Sequence, residues 1–382
     1  MSAPLEGIVV VTLEQAVSAP FATRQLADLG ATVIKVERPE GDFARHYDSA
    51  VQGVSAFFVW ANRGKQSITA NLADPNDEAR LHALIAGADV FVHNISPDAA
   101  ARRGLDASTL RSTHPGLIVC AISGYGEGGP RSDDKAYDLA IQAEAGVFSV
   151  TGDEDMSKVG FSAADIASGM YALTSILAAL VRRDRTGEGA SIHVSMLEAL
   201  VEWMSAPLYG AVYGGGQRPR TGRRHHAIAP YGTFALADGR TILIAVQSDG
   251  EWRSMADALL HQPELGTDPR FATNSARIAA VVELEAIIRE CLASITAEEA
   301  LDRLQQGRIA YSWVNDLAGV WAHEQLRARD RFHEVPTETG PVELIDPPFD
   351  IDGLPPSRGA VPALGEHDEA LIERIIADGQ SQ

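Results

Sequence analysis

The first 125 residues switch repeatedly between a strand-like and a helix-like hydrophobic period, and this alternation narrows the fold more than any other feature. Ile8-Val9-Val10-Val11 is a β-branched run, the pattern of a buried strand. Pro20 to Gly30 predicts a helix: Phe21, Leu26 and Leu29 share one side, and Gly30 is a stop signal. Ala31 to Val36 predicts a second strand. Strand, helix and strand in so short a span make a βαβ unit with a right-handed crossover. The pattern recurs, with a helix over Asn76 to Gly87, a strand over Asp89 to His93, helix around Thr109 to Thr113, and a strand over Leu117 to Ile122. Such alternation implies an α/β fold: a parallel sheet with helices on both faces.

Beyond this region the apolar face of Ile166, Met170, Leu173, Ile176, Leu177 and Leu180 predicts a long amphipathic helix. It ends at the charged run from Arg182 to Arg185 and at Gly187. Its apolar core, Met170 to Val181, is about twelve residues, short of the roughly 20 that span a bilayer. A second apolar helix is expected around Val194 to Met204. Tyr209 to His226 is rich in Gly, Arg and Pro and reads as a linker or functional loop. Thr233 to Leu236, a turn at Asp238-Gly239, and Thr241 to Val246 predict a hairpin. Thr296 and Glu299 form a capping-box signature at a helix start. The tail after about residue 335 is Pro-rich and extended, closing with a helix near Asp368 to Asp378.

Charge removes whole classes of function. Against 52 Asp+Glu stand 32 Lys+Arg, a net charge of −20. A nucleic-acid binder needs a basic face, and an anionic membrane repels such a chain. A small anionic ligand stays open, because a local basic cluster can sit inside an acidic whole. The two cysteines, Cys120 and Cys291, are far apart, so neither a disulfide framework nor a thiolate metal site is expected. The N-terminal apolar run is too short for a signal peptide and lacks a basic start. A soluble cytoplasmic protein is the expectation.

Few motifs carry chemistry by themselves. The first strand is not followed by GxGxxG. Glu37 ends the second strand and is expected to be solvated at the surface. Gly124 to Pro130 is Gly-rich but lacks the Lys-Ser/Thr ending of a phosphate loop, so a turn is expected. HExxH, GxSxG and metal-spaced His/Cys clusters do not occur, and no metal is expected. His225 and His226 are adjacent, which puts their rings on opposite sides of an extended chain. Asp165 stands at the start of the long helix and has two readings. It is an N-cap, satisfied by free N–H groups, or a carboxylate nucleophile held at a helix N-terminus.

Several stretches stand in a recognisable order: Leu5 to Val11; Ala27 to Asp42; Asn94 to Pro97 with Arg102, Arg103 and Gly104; Ile122 to Glu127; Tyr137-Asp138; Asp165 to Met170 with Ile176 to Leu180; Arg185 to Gly189; and Ala363 to His367. Together they resemble the class III CoA-transferases, the family of formyl-CoA transferase and carnitine CoA-transferase. The resemblance covers almost the whole chain and implies the nucleophile reading for Asp165, with Asp138 beside the site. Asp165 would attack an acyl-CoA thioester and then carry CoA as an aspartyl thioester, for a small carboxylic acid, dicarboxylic acids included, to collect. The resemblance assigns coenzyme A contacts to Val17, Arg38, Leu72, Asn94, Arg102, Arg103, Lys135 and Tyr137. Cations suit a polyanionic substrate, and Lys135 is one of four lysines, with Lys35, Lys65 and Lys158.

The resemblance further implies a Rossmann-like large domain, a smaller inserted α+β domain and an interlocked homodimer. The boundaries drawn are 1–200 for the first part of the large domain, 201–222 for a linker, 223–328 for the small domain and 329–382 for the return. Two departures bear on substrate. Val17 stands where formyl-CoA transferases carry a glutamine, and basic residues Arg223 to His226 occupy a region where they carry a glycine flap. Together with Ala245 to Trp252, this loop looks most like relatives acting on small branched or unsaturated dicarboxylates of the mesaconyl-CoA type. A rival of the same fold is α-methylacyl-CoA racemase, which needs two acid/base groups; its histidine position is Tyr137 here, and a phenol titrates near pH 10. A third reading is a catalytically silent CoA-binding protein.

Overall fold

Six parallel strands carry the first part of the chain: β1 (Val9–Leu13), β2 (Thr32–Glu37), β3 (Gln66–Thr69), β4 (Val90–His93), β5 (Ile118–Ser123) and β6 (Ala190–Ser195). Their order is β3-β2-β1-β4-β5-β6, with Val10 opposite Val33 on one side and Val11 opposite Phe91 on the other. The structure is a computed structural model that describes residues 3–352, 359–367, 372, 373, 375 and 377. The helices of this part are α1 (Ser18–Asp28), α2 (Ala56–Asn62), α3 (Pro75–Ala86), α4 (Pro97–Arg102), α5 (Ala107–Thr113), α6 (Asp138–Glu144), the single turn α7 (Val147–Val150), α8 (Ala163–Thr186), α9 (Met196–Trp203) and α10 (Ser205–Tyr213). The parallel α/β architecture is as the hydrophobic periods predict. The strand order reverses between β1 and β4, so the chain leaves these two neighbours in opposite directions and opens a crevice at their C-terminal ends.

Two strands of this sheet escaped the sequence. β3 reads Gln-Ser-Ile-Thr, and β6 reads Ala-Ser-Ile-His-Val-Ser at the sheet edge, with exposed and covered positions alternating at its start. Neither has the apolar run that marks an interior strand. Missing β3 also misplaced Glu37. That carboxylate is buried, because β3 covers the end of β2: Arg45 Nη2 donates to Glu37 Oε1 at 2.7 Å and Ser67 Oγ at 2.6 Å. Residues 205–213, expected as linker, are helical in α10. Pro207 does not interrupt it, since a proline in the first turn sacrifices no intrahelical bond.

Helix α8 is the pillar of this unit. It runs 24 residues and stops at Gly187, whose φ of 73° is the left-handed geometry that glycine adopts without strain. By length and composition it could cross a membrane, which the twelve-residue apolar stretch did not suggest. Its face of Ala164, Ala167, Ala172 and Ile176 is nonetheless buried in protein, as in any core helix. It crosses α1 closely at Gly169, where an added Cβ would lie 2.8 Å from the Ser18 carbonyl oxygen and 2.9 Å from the Phe21 ring. The Pro-rich tail contributes an unforeseen antiparallel hairpin, β10 (Phe332–Val335) with β11 (Val342–Ile345), whose Val335 and Val342 pack on Phe58 and Val59. The expected helix near Asp368 to Asp378 lies mostly outside the described residues.

The chain divides into two compact units. The first takes the segments up to Val147, Lys158–Tyr209 and from Gln325 onward; the second takes Phe148–Ser157 and Gly210–Glu324. In the second unit β7 (Tyr231–Ala235), β8 (Thr241–Ala245) and β9 (Ala310–Trp313) form an antiparallel sheet, containing the predicted hairpin. Trp252, Met255, Phe271, Leu284 and Ile288 fill its core. Thr296 caps its helix as expected, its Oγ1 accepting from Glu299 N at 3.1 Å, but the Glu299 carboxylate turns to Arg303 instead of closing the box.

The close α1–α8 crossing makes a prediction. Gly169→Val forces the helices apart and should cost about 1–3 kcal/mol of stability. Urea unfolding with an unchanged midpoint would show that the crossing tolerates a side chain.

Candidate active site

Asp165 lies in the first turn of α8, but it does not cap that helix. Ser162, at the N-cap position, makes no side-chain cap bond either. The acceptor comes from another helix: Asp138 Oδ1 accepts the N–H of Ala164 at 2.8 Å and of Asp165 at 3.3 Å. Gln142 Nε2 donates to Asp138 Oδ2 at 2.7 Å and so orients the cap. The capping reading of Asp165 is thereby corrected; it assumed a cap local in sequence, whereas Asp138 is 27 residues upstream. Among the described residues, no donor reaches the Asp165 carboxyl group. With the residue only 9% exposed, burial, followed by the charge of Asp138, pushes the pKa of its carboxyl group up to about 7.

The carboxyl group walls a cavity of about 420 Å³. It lies at the C-terminal ends of β1 and β4, in the crevice that the strand order creates. Gln15 to Ser18 enter from the loop after β1, Phe43 and Tyr47 from the turn after β2, and Asn94 to Pro97 from the loop after β4. Ser123 ends β5 and Gly124 follows it, and 132–138 lead into α6. Gly124 is required here, because a Cβ would fall 2.0 Å from that of Ala136. The Gly-rich segment is thus a turn, as expected, and also cavity wall.

Of the residues singled out from sequence, Val17, Asn94, Lys135, Tyr137, Asp138 and Asp165 line this one cavity. Asn94 spends its amide on the loop beside it, accepting from Gln15 N at 3.0 Å and donating to Gln15 O at 2.8 Å. Arg38 stands behind the wall: its Nη2 donates to Gln15 Oε1 at 3.0 Å, and its guanidinium lies 5.6 Å from the Phe43 ring centre. Leu72 and Arg103 form a separate group. Arg103 Nη1 donates to the Leu72 carbonyl at 2.5 Å and to Glu78 Oε1 at 2.7 Å, so its charge is already partnered. Arg102 is exposed at the end of α4, 4.0 Å from Asp98. Sequence reasoning missed Gln15, Phe43, Tyr47, Phe57 and Met196. Burial, with Asp42, Asp165 and Tyr137 adding negative charge, raises the Tyr47 phenol to about 12 and keeps it a neutral donor. The available signal for Phe43 and Tyr47 was Gly41-Asp42, a turn ending β2 in which Asp42 caps the short 3₁₀ segment Phe43–His46.

In the second unit, the His225 and His226 rings do not point apart. They stack with centroids 4.8 Å apart, and His225 stacks on Tyr231 at 5.2 Å. The expectation of an extended chain fails because the backbone bends there, with Ala227 N donating to His225 Nδ1 at 3.1 Å. Arg218, Arg224 and both histidines line a second cavity of about 570 Å³ within that unit.

Known proteins place the chain. The sequence profile described as CoA-transferase family III matches residues 5–368. A succinate–glutarate CoA-transferase of Agrobacterium fabrum is 34% identical, over 97% of this chain and 96% of its own length. A succinyl-CoA:mesaconate CoA-transferase of Haloarcula marismortui is 31% identical, over 98% and 97%. The crystal structure of a CAIB/BAIF family protein from Brucella suis superposes with a TM-score of 0.87 at 32% identity, covering 98% of this chain and all of that one. The chain belongs to CoA-transferase family III, enzymes that move CoA between an acyl-CoA and a carboxylic acid.

Proposed function

We propose that Asp165 is the nucleophile of this transfer and that both acids are small dicarboxylates. One observation carries the reading: Asp165 presents a buried, unpartnered carboxyl group to a cavity, while Asp138 satisfies the helix end in its place. A carboxylate removed from water and hydrogen-bond donors is a stronger nucleophile than a solvated one.

CoA enters as part of the substrate. An Asp165 oxygen attacks the thioester carbonyl carbon, the carbon–sulfur bond breaks, and the thiolate leaves a mixed anhydride. The thiolate then attacks the Asp165 side-chain carbonyl carbon, expelling the first acid and leaving CoA on the enzyme as a thioester. The acceptor carboxylate attacks that thioester, and the same steps run in reverse. The oxyanions that form need donors. Val17 supplies no side-chain cap to α1, and with Pro20 lacking an N–H the Ser18 and Ala19 N–H groups suit the role, with the neutral Tyr47 phenol near Asp165. Lys135 is the cation placed on the cavity wall. Arg38, Arg102 and Arg103 are left to the phosphates and adenine, which extend beyond the reacting carbonyl. Dicarboxylates are supported by the named relatives, which act on succinate, glutarate and mesaconate. On family resemblance we also propose an interlocked homodimer with the second unit as an inserted domain; a monomeric mass in analytical ultracentrifugation would exclude it.

Four outcomes test the nucleophile and its buried state. Incubation with succinyl-CoA and glutarate, then hydroxylamine, should mark Asp165 in a peptide map; Asp165→Asn should lose exchange by at least about 10⁴-fold, and full activity in that variant sinks the mechanism. Because the carboxyl is protonated below about 7, kcat/KM of the free enzyme should rise with pH through about 7; a flat profile from pH 5.5 to 8.5 contradicts it. The same shift sets stability. The native state holds a proton that the unfolded chain releases above the ordinary 3.8, so stability from this group is full below about 4 and is lost as pH rises through about 7. Asp165→Asn escapes that loss. It should match wild type at pH 4 and exceed it at pH 8 by about 2–4 kcal/mol. Equal unfolding midpoints at pH 8 would count against a strained, buried carboxylate.

A further inference from the structure

Two of the four lysines are not at the surface at all. The Lys35 and Lys65 side chains have no exposed area, and neither do the Glu14 and Asp42 side chains that meet them. Lys35 Nζ lies 2.8 Å from Asp42 Oδ2 and 3.5 Å from Glu14 Oε1, and Lys65 Nζ lies 2.7 Å from Glu14 Oε1. Two lysines and two acids thus meet inside the first unit. Apolar packing is often as stable as a buried ion cluster, so stability alone gives no reason for this one.

What the cluster touches supplies a reason. Asp42 Oδ1 accepts the N–H of Ala16 at 3.1 Å and the N–H of Ala44 at 2.9 Å. Ala16 belongs to the loop after β1, and Ala44 to the turn after β2. These segments bring Gln15, Val17, Ser18, Phe43 and Tyr47 to the cavity wall, while Asp42 itself does not line it. Ala16 adopts φ 63°, a left-handed conformation that side-chain-bearing residues disfavour and keep only under constraint. Lys35 anchors the Asp42 oxygen opposite the two amides and also reaches the Glu14 carbonyl oxygen at 3.5 Å. Lys65 ties the start of α1 to the same cluster, donating to the Pro20 carbonyl at 2.9 Å.

We propose that Asp42 is a positioning residue for CoA transfer: clamped by Lys35, it staples the two loops whose residues line the same cavity as Asp165. The role rests on the transferase reading above. It acts through geometry, because displacing reactive groups by about 1 Å costs about 10²-fold in rate.

The test uses the full chain with succinyl-CoA and glutarate. Wild type is assayed first, and no exchange there sinks the dicarboxylate reading, not the stapling. Asp42→Ala removes the acceptor of both amides. It should lower kcat about 10- to 100-fold and leave KM for succinyl-CoA within about threefold. Asp42→Asn keeps an oxygen for Ala16 and Ala44 but turns its NH2 toward Lys35 Nζ and loses the clamp, so its kcat should fall between those of Asp42→Ala and wild type. Near-ultraviolet circular dichroism and thermal melting report the folded fraction of each variant. Wild-type kcat in folded Asp42→Ala overturns the proposal. So does a loss that equals the loss of folded protein, or Asp42→Asn as damaged as Asp42→Ala. Should Asp42→Ala not fold, Lys35→Met decides, since it unclamps Asp42 without removing the acceptor: a tenfold or greater fall in kcat at near-constant KM supports the staple, and wild-type kcat refutes it.

Discussion

The Asp138 carboxylate at the N-terminus of α8 is the interaction on which the site depends. A helix end must satisfy its first N–H groups, and the nearest acid would ordinarily do so. Here α6 supplies the acceptor, oriented by Gln142, and Asp165 is released from structural duty. The two carboxylates then diverge. Asp138 is hydrogen-bonded from both oxygens, whereas Asp165 is desolvated beside another negative charge and holds its proton up to about 7. One helix terminus thus carries a hydrogen-bonded cap and a buried carboxyl group that holds its proton, separated by environment and not by residue type.

The sheet explains why the cavity lies where it does. Reversal of strand order between β1 and β4 sends their following loops apart, and those loops, with the turns after β2 and β5, become its walls. The surrounding cations do not form one patch. Lys135 is on the wall, Arg38 is behind Gln15 and Phe43, and Arg103 is paired with Glu78. Two further lysines, Lys35 and Lys65, are invested entirely in the interior. In a chain of net charge −20, attraction for an anionic substrate therefore rests on a few placed groups and on backbone dipoles, not on a general field.

Much of the fold was legible because its periods are strong. The β-branched runs of β1, β2, β4 and β5 and the apolar stripe of α8 announced parallel α/β structure. β3 and β6 were not legible, since short, half-polar segments become strands only when a neighbour offers its edge. That omission put Glu37 in solvent, when β3 seals it inside. Within the site, the motifs pointed to Asp165, Asp138, Lys135, Tyr137, Asn94 and Val17, all of which meet at one cavity. Phe43 and Tyr47 had only a turn signal, and Phe57 and Met196 none, because an aromatic or apolar side chain looks the same in a core and in a cavity wall.

The sequence by itself determined the architecture and the chemistry on offer: hydrophobic period decides strand from helix locally, and an ordered set of motifs marks one acid among 52 Asp+Glu. Only the tertiary structure decided what each charged group does. Whether Asp165 caps a helix or stands free depends on Asp138, 27 residues away, and whether Lys35 greets solvent or clamps Asp42 depends on strands covering it. The reason is physical: ionisation, nucleophilicity and pairing follow burial and partner distance, and those exist only once the chain has closed on itself.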